Sequence, residues 1–107
     1  MRGPYPLYPL AVEQRVPCHV RGVYCLAKVP GGPVVKVFRA EADLREELKT
    51  SATDFRAFWY ETCIDNSQAY KTECWMFHRY SSTASWGNQV HPTAPPKTQV
   101  TCPVCGQ

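Results

Sequence analysis

The chain lacks any long hydrophobic run. Three of its first ten residues are proline, and the start of the chain contains no uninterrupted apolar stretch of roughly 7 to 15 residues, so we expect no secretory signal there. Nowhere does the sequence approach about 18 consecutive apolar residues, which argues against a transmembrane helix. We therefore expect a protein of the cytoplasm or nucleus, without a membrane partner.

A strong charge of either sign is also missing. The formal net charge of +3 results from 12 Lys and Arg against 9 Asp and Glu. The pI of 8.6 lies below the value of about 9 that is typical of dedicated nucleic-acid-binding domains. Contact with a nucleic acid is compatible with this balance, but the charge alone does not predict it.

What the chain does have is many prolines and cysteines in a short length. Its 107 residues suffice for one domain, and ten prolines predict a loop-rich fold with a modest core. Such a fold usually needs a crosslink, for which the six cysteines are the obvious source. In a reducing compartment, metal ligation is favoured over disulfides. A small secreted domain with three disulfides is the alternative, and counting free thiols after metal removal would test it.

The first part of the chain predicts an arm and a β-hairpin. Residues 1 to 15 are rich in Pro and Tyr and predict an extended, poorly ordered arm, with pairing to a partner subunit in a homodimer as the alternative. Val16 to Val29 alternates apolar and polar residues and predicts a strand. The turn Pro30 to Pro33 and the β-type run Val34 to Phe38 would complete a hairpin.

The middle of the chain predicts a helix followed by an aromatic core. Strong helix formers run from Glu41 to Lys49, with acids in the first turn. The run from Phe55 to Tyr60 fits either a short helix or a strand. Thr72 to Tyr80 has β-type composition, and Ser81 to Lys97 should be an irregular loop. We assign to the core Phe55, Phe58, Trp59, Tyr60, Trp75, Phe77 and Tyr80. We therefore predict that residues 16 to 107 form a single α+β domain.

The end of the chain carries the pattern of a structural zinc site. Cys102 and Cys105 are separated by two residues and followed by Gly106, which allows a tight turn that places both thiolates on one ion. Cys74 and His78 form the best second pair, and three cysteines with one histidine are a standard set of structural-zinc ligands. We therefore predict that a zinc ion clamps the C-terminal loop through these four residues.

Other ligand sets stay open. Cys63 could replace His78, and His91 is the natural substitute if His78 does not bind. A catalytic zinc needs an open position and a nearby base. In the predicted strand, Glu73 would point away from Cys74, so we expect no enzymatic activity. A redox pair of the thioredoxin type is disfavoured because its motif begins a helix with much chain still to follow.

Two further cysteines have a simpler interpretation. Cys18 and Cys25 lie seven residues apart in the predicted strand, which places their side chains on opposite faces. We expect buried free thiols, with a second metal site recruiting Cys18, His19 or Cys63 as the alternative.

The C-terminal third resembles the small protein encoded by the first open reading frame of sobemoviruses, which are plant viruses. The resemblance rests on a β-type segment with a cysteine (Thr72 to Tyr80), a long loop with the pair Pro95-Pro96, and the segment Val100 to Gly106. In that family, two pairs of cysteines frame a loop of similar length. This sequence departs from the pattern because His78 stands where the first pair has its second cysteine.

The resemblance implies a suppressor of host RNA silencing that supports systemic spread of the virus without catalysis. It implies Cys74, Cys102 and Cys105 as zinc ligands, with His78 in the fourth position by function. The partner would be a host silencing factor or RNA, and the protein would act in the host cytoplasm or nucleus.

Two other functions compete with this one. An RNA-binding zinc module would need cations and stacking aromatics, for which the candidate contact residues are Arg79, Trp86 and Lys97. A protein-interaction adaptor of cellular origin would use the zinc module and the hairpin as a docking surface. Binding that weakens steeply with salt would favour RNA, because phosphate contacts release counterions.

Overall fold

The computed structural model describes residues 1–82 and 90–106. Within them, the chain runs through β1 (Arg2–Pro6), α1 (Pro9–Arg15), β2 (Gly22–Ala27), β3 (Lys36–Ala40), α2 (Leu44–Ser51), β4 (Ala57–Thr62) and α3 (Asn66–Tyr80). The four strands form one antiparallel sheet in the order β1-β4-β2-β3. The predicted α+β class is confirmed, and so is the hairpin, which β2 and β3 form.

Helices cover both faces of this sheet. Every residue of β2 is buried, and its side chains alternate between two cores, as the pleat requires. Tyr24 and Leu26 belong to the first core, which also contains side chains of α1 and α2. Val23 and Cys25 belong to the second core, which contains side chains of α3. At Gly22, a Cβ atom would lie 2.2 Å from the backbone oxygen of Glu61, so only glycine permits this approach of β2 to β4.

The N-terminal residues form part of this body. β1 pairs with β4 at the edge of the sheet, and Leu7, Ala11 and Val12 are buried. The sequence predicted an extended, poorly ordered arm over residues 1 to 15. The structure instead has a strand and a short helix there, because the few apolar side chains between the prolines fill the space beside α2.

A helix replaces the strand predicted from Thr72 to Tyr80, so that prediction was wrong. The side chain of Asp65 accepts a hydrogen bond from the backbone N–H of Gln68 at 2.7 Å and caps α3. The side chain of Gln68 in turn accepts one from the N–H of Ile64 at 2.7 Å. The buried residues of α3 are Ala69, Tyr70, Glu73 and Cys74, and their spacing is that of one helix face.

The aromatic residues divide between the core and the surface. Phe58 and Tyr60 are buried and Trp59 is half-buried, as predicted for the core, and the run that contains them is strand β4. Trp75 was assigned to the core, but 56% of its surface is exposed. Trp75 is exposed because this segment is a helix, and Trp75 lies on the face of α3 that points away from the sheet. The described helices include none that is long and apolar enough to cross a membrane.

Candidate metal centre

The centre forms where the C-terminal segment, residues 90–106, lies against the end of α3. His78 comes from the last turn of α3, and His91 comes from the start of the segment. Cys102 and Cys105 come from a turn closed by a 2.9 Å hydrogen bond from the N–H of Gly106 to the carbonyl oxygen of Cys102. Gly106 has a φ of 81°, which glycine adopts without strain.

Four potential ligand atoms converge there. One atom from each of His78, His91, Cys102 and Cys105 lies within 4.8 Å of the other three. In a tetrahedral site with Zn–N near 2.0 Å and Zn–S near 2.3 Å, neighbouring ligand atoms are roughly 3.3 to 3.8 Å apart. The Sγ of Cys105 and the Nε2 of His91 are already 3.4 Å apart. Shifts of about 1 Å would therefore close the group around an ion.

The two histidines present their nitrogens in a form suited to a metal. The Nδ1 of His91 lies 2.8 Å from the carbonyl oxygen of Pro92, and a proton on Nδ1 makes this a hydrogen bond. That tautomer leaves the lone pair on Nε2, on the side of Cys105. Among the described residues, the Nε2 of His78 is buried without a hydrogen-bond partner. A bound cation would satisfy such a nitrogen, which otherwise costs free energy.

Cys102 has the electrostatic environment of a thiolate. Burial is the largest single influence and would raise its pKa. Hydrogen bonds from the backbone N–H groups of Cys105 and Val104, with contributions from the side chains of His91 and Cys105, outweigh burial and lower the pKa to about 5. The N–H of Val104 lies 3.4 Å from the Sγ of Cys102. Metals bind the deprotonated sulfur, so the low pKa makes the Sγ of Cys102 suitable as a metal ligand.

Cys74, which the sequence predicted as a ligand, lies beside the group. Its side chain is fully buried and packs against Tyr70 and Cys102, whose side chains are its hydrogen-bond partners. Burial raises the pKa of the Cys74 thiol to about 12. Cys74 is therefore placed to donate its S–H to the thiolate of Cys102, behind the ligand atoms. The structure brings His91 into the position that the sequence assigned to Cys74.

The other cysteines lie elsewhere. Cys63 packs against the second core, below α3, and burial raises its pKa. Cys25 is buried as predicted, with its Sγ 3.6 Å from the Sδ of Met1. Cys18 is exposed, contrary to the prediction of a buried thiol, because it precedes β2 and belongs to a turn.

Glu73 ties the site to the sheet. It is buried on the sheet side of α3, and its Oε1 accepts a 3.0 Å hydrogen bond from the Nη1 of Arg39 on β3. The Nη2 of Arg39 donates to the carbonyl oxygen of Thr93 at 2.9 Å. Burial raises the pKa of Glu73 to about 7, against the opposing charge of Arg39. Arg39 thus joins β3, α3 and the C-terminal segment.

Two of the three predicted contact residues, Arg79 and Lys97, lie in the described part of the chain. Arg79 is exposed on α3, with its guanidinium 5.4 Å from the ring centroid of Tyr80. Lys97 is exposed in the C-terminal segment. Trp86 lies outside the described residues.

Sequence reasoning named His91 as a substitute but did not give it first rank. No local signal in the sequence singles His91 out, because its place in the group depends on where the C-terminal segment meets α3. Searches among known proteins give this chain no relative: no family model, no curated protein and no solved structure matches it. The sobemovirus resemblance therefore stays a prediction.

Proposed function

We propose that His78, His91, Cys102 and Cys105 bind one structural zinc ion. The observation that carries this proposal is the convergence of the four ligand atoms within 4.8 Å. Two sulfurs and two imidazole nitrogens in a tetrahedral arrangement are a typical zinc donor set. Four protein ligands leave no open position for a substrate, which supports a structural ion and a protein without catalytic activity.

The ion would fasten the C-terminal segment to α3. Twenty-three residues separate His78 from Cys102, and closing a loop of that length costs about 3 kcal/mol of chain entropy. Structural zinc contributes roughly 10 to 16 kcal/mol in peptide systems. Metal binding would therefore order a segment that has little core of its own.

Zinc content of matched variants tests the ligand set. We expect one equivalent of zinc in the purified chain by elemental analysis, the same amount in Cys74→Ala, and loss of zinc in His91→Ala. The reverse pattern, with loss in Cys74→Ala and retention in His91→Ala, would show that the ligands are those predicted from the sequence. Absence of zinc from all three proteins would contradict the site.

We further propose that the protein is a viral suppressor of host RNA silencing that supports systemic spread. The support is the resemblance of its C-terminal third to the sobemovirus protein, with a candidate metal group in the same third. On this proposal, the protein acts in the host cytoplasm or nucleus, as a monomer or homodimer, on RNA or on a host silencing factor.

A reporter assay in plant leaves tests this function. A silenced fluorescent reporter should regain expression when the wild-type chain is co-expressed and should stay silent with Cys102→Ser. Ile64→Ala serves as the matched control, because this side chain is 84% exposed and lies outside the metal group. Failure of the wild-type chain to restore the reporter, at a confirmed protein level, would contradict the proposal.

A cellular adaptor is the second candidate. One observation favours it: a groove with apolar walls lies directly beside the metal group, lined in part by the exposed Trp75. Exposed apolar grooves of this kind are typical of protein-binding sites.

A further inference from the structure

Trp75 is an exposed tryptophan in a groove. The groove lies between the outer face of α3 and the turn from Cys102 to Cys105, and it has a volume of about 410 Å³. Its lining residues are Trp75, Met76, His78, Arg79 and Val104. Trp75 and Val104 remain 56% and 45% exposed. A large aromatic side chain and an aliphatic one that face the same cleft form a pocket suited to an apolar anchor.

The exposed charged residues one turn to either side of Trp75 on α3 are both cations. All nine acidic residues of the chain precede Cys74, and no Asp or Glu follows Glu73 in the sequence. Lys71 and Arg79 are exposed on α3, four residues before and four residues after Trp75. Residues with this spacing lie on one helix face, about 6 Å apart along the axis. The tryptophan is thus flanked by a cation on each side.

We propose that this groove binds an acidic peptide segment that inserts one large apolar side chain between Trp75 and Val104. Carboxylates of the segment pair with Lys71 and Arg79, while the anchor covers the exposed apolar surface. The walls formed by Met76 and Val104 favour an inserted side chain over a nucleic acid, which would need a series of stacking aromatics and a longer track of cations.

The groove depends on the metal centre, so this inference rests on the proposed zinc site. His78 belongs both to the ligand group and to the groove lining. Val104 lies between two ligands in the turn. An ion that fixes this turn also fixes the wall opposite Trp75, and removal of the ion would open the groove.

Fluorescence anisotropy with two designed peptides tests the inference. The first probe is a labelled amphipathic helical peptide with Glu on its polar face and Leu and Trp on its apolar face. The second has Lys in place of every Glu. We expect the full chain to bind the acidic probe at least about tenfold more tightly than the basic one, with an affinity that decreases as salt increases.

Matched variants identify the surface. Trp75→Ala should weaken binding of the acidic probe about tenfold or more, and Arg79→Glu should weaken it by a similar factor. Ile64→Ala, which removes an apolar side chain that is outside the groove and more exposed than Trp75, should leave binding unchanged. Zinc content is measured on the same samples and should stay at the wild-type level in Trp75→Ala, which shows that its metal centre is intact.

The outcomes separate the groove from the zinc site. Zinc-loaded protein that binds neither probe, or binds both equally, overturns the inference and leaves the zinc site standing. A single-stranded oligouridine that binds the wild-type chain more tightly than the acidic probe does, and that loses this binding in Trp75→Ala, overturns it in favour of RNA. If the chain contains no zinc but still binds the acidic probe through Trp75, the zinc site and the dependence of the groove on it are both wrong, while the groove itself stands.

Discussion

Two regions of the molecule are stabilised differently. The first is the sheet with its three helices, and the second is the C-terminal segment. In the first region, two cores lie on opposite faces of the sheet, and β2 is buried along its whole length. In the segment, only Pro95 and Cys102 are buried among the described residues, with Ala94 and Val100 packed against the third core. One region therefore depends on apolar burial, whereas the other is joined to the sheet by Arg39 and, on our proposal, to α3 by a bound metal ion.

This difference predicts two separate modes of failure. Loss of a core side chain should destabilise the sheet together with its helices, because the strands and helices pack against one another through these cores. Loss of a ligand should release the segment while the sheet persists. The following changes test this separation, in order of expected size.

Cys102→Ser should have the largest effect. The substitution removes the thiolate that the proposed site uses as a ligand. Most of the zinc-binding free energy, which is about 10 to 16 kcal/mol in zinc peptides, should be lost with it. Hydrogen exchange measured by mass spectrometry should show loss of protection from Val90 to Gly106, with β2 unchanged. Cys18→Ser is the control, since Cys18 is exposed and outside the group. Loss of protection in β2 as well would contradict the separation.

Phe58→Ala should be next. Phe58 is fully buried in the first core and its ring lies 5.6 Å from that of Tyr5 and 6.1 Å from that of Tyr60, measured between centroids. Truncating a buried phenylalanine costs about 3 to 5 kcal/mol, which urea unfolding monitored by circular dichroism would measure. The folded fraction should still bind zinc, because Phe58 belongs to the first core. A variant that stays as stable as wild type would refute this assignment.

Arg39→Met should loosen both regions at once. It removes the donor to Glu73 and to the carbonyl oxygen of Thr93. The cost should be about 1 to 3 kcal/mol, because the Glu73 carboxyl group stays buried without this partner. In a double-mutant cycle, Glu73→Gln should recover part of that loss. Additive effects of the two substitutions, in urea unfolding, would show that the pair is not coupled.

The same contrast explains which features the sequence could predict. The hairpin and α2 follow local rules, namely the β-type residues of β2 and β3, the turn at Pro30 to Pro33, and the cap that Asp43 provides to α2. The sequence could not decide the state of Thr72 to Tyr80, because its β-type composition competes with a cap that lies seven residues upstream, at Asp65. Tertiary packing against β2 and β3 settles that competition in favour of the helix.

The candidate site was predictable in part for a related reason. The turn from Cys102 to Cys105 is local and was recognised from its spacing. The choice between Cys74 and His91 depends on where α3 meets the C-terminal segment, which no local pattern specifies. Both Cys74 and His78 lie on α3, four residues apart. The helix directs the first toward Cys102 and Tyr70 and the second toward the ligand group.

Tyr24→Phe should have the smallest effect and should be confined to the sheet region. The hydroxyl of Tyr24 donates a 3.0 Å hydrogen bond to Glu47 on α2. Burial raises the pKa of Glu47 above its ordinary value of 4.5, and this hydrogen bond opposes the rise. A carboxyl group whose pKa is higher in the folded than in the unfolded state contributes stability at low pH that is lost as the pH rises through the folded pKa.

Removing the hydroxyl should raise the pKa of Glu47 further, so the substitution should cost more at neutral pH than in acid. We expect a loss of about 0.5 to 1.5 kcal/mol near pH 7 and a smaller loss near pH 4, from urea midpoints compared with wild type at each pH. Exchange protection from Val90 to Gly106 should not change. An equal loss at both pH values would mean that the hydroxyl acts through packing rather than through the charge of Glu47.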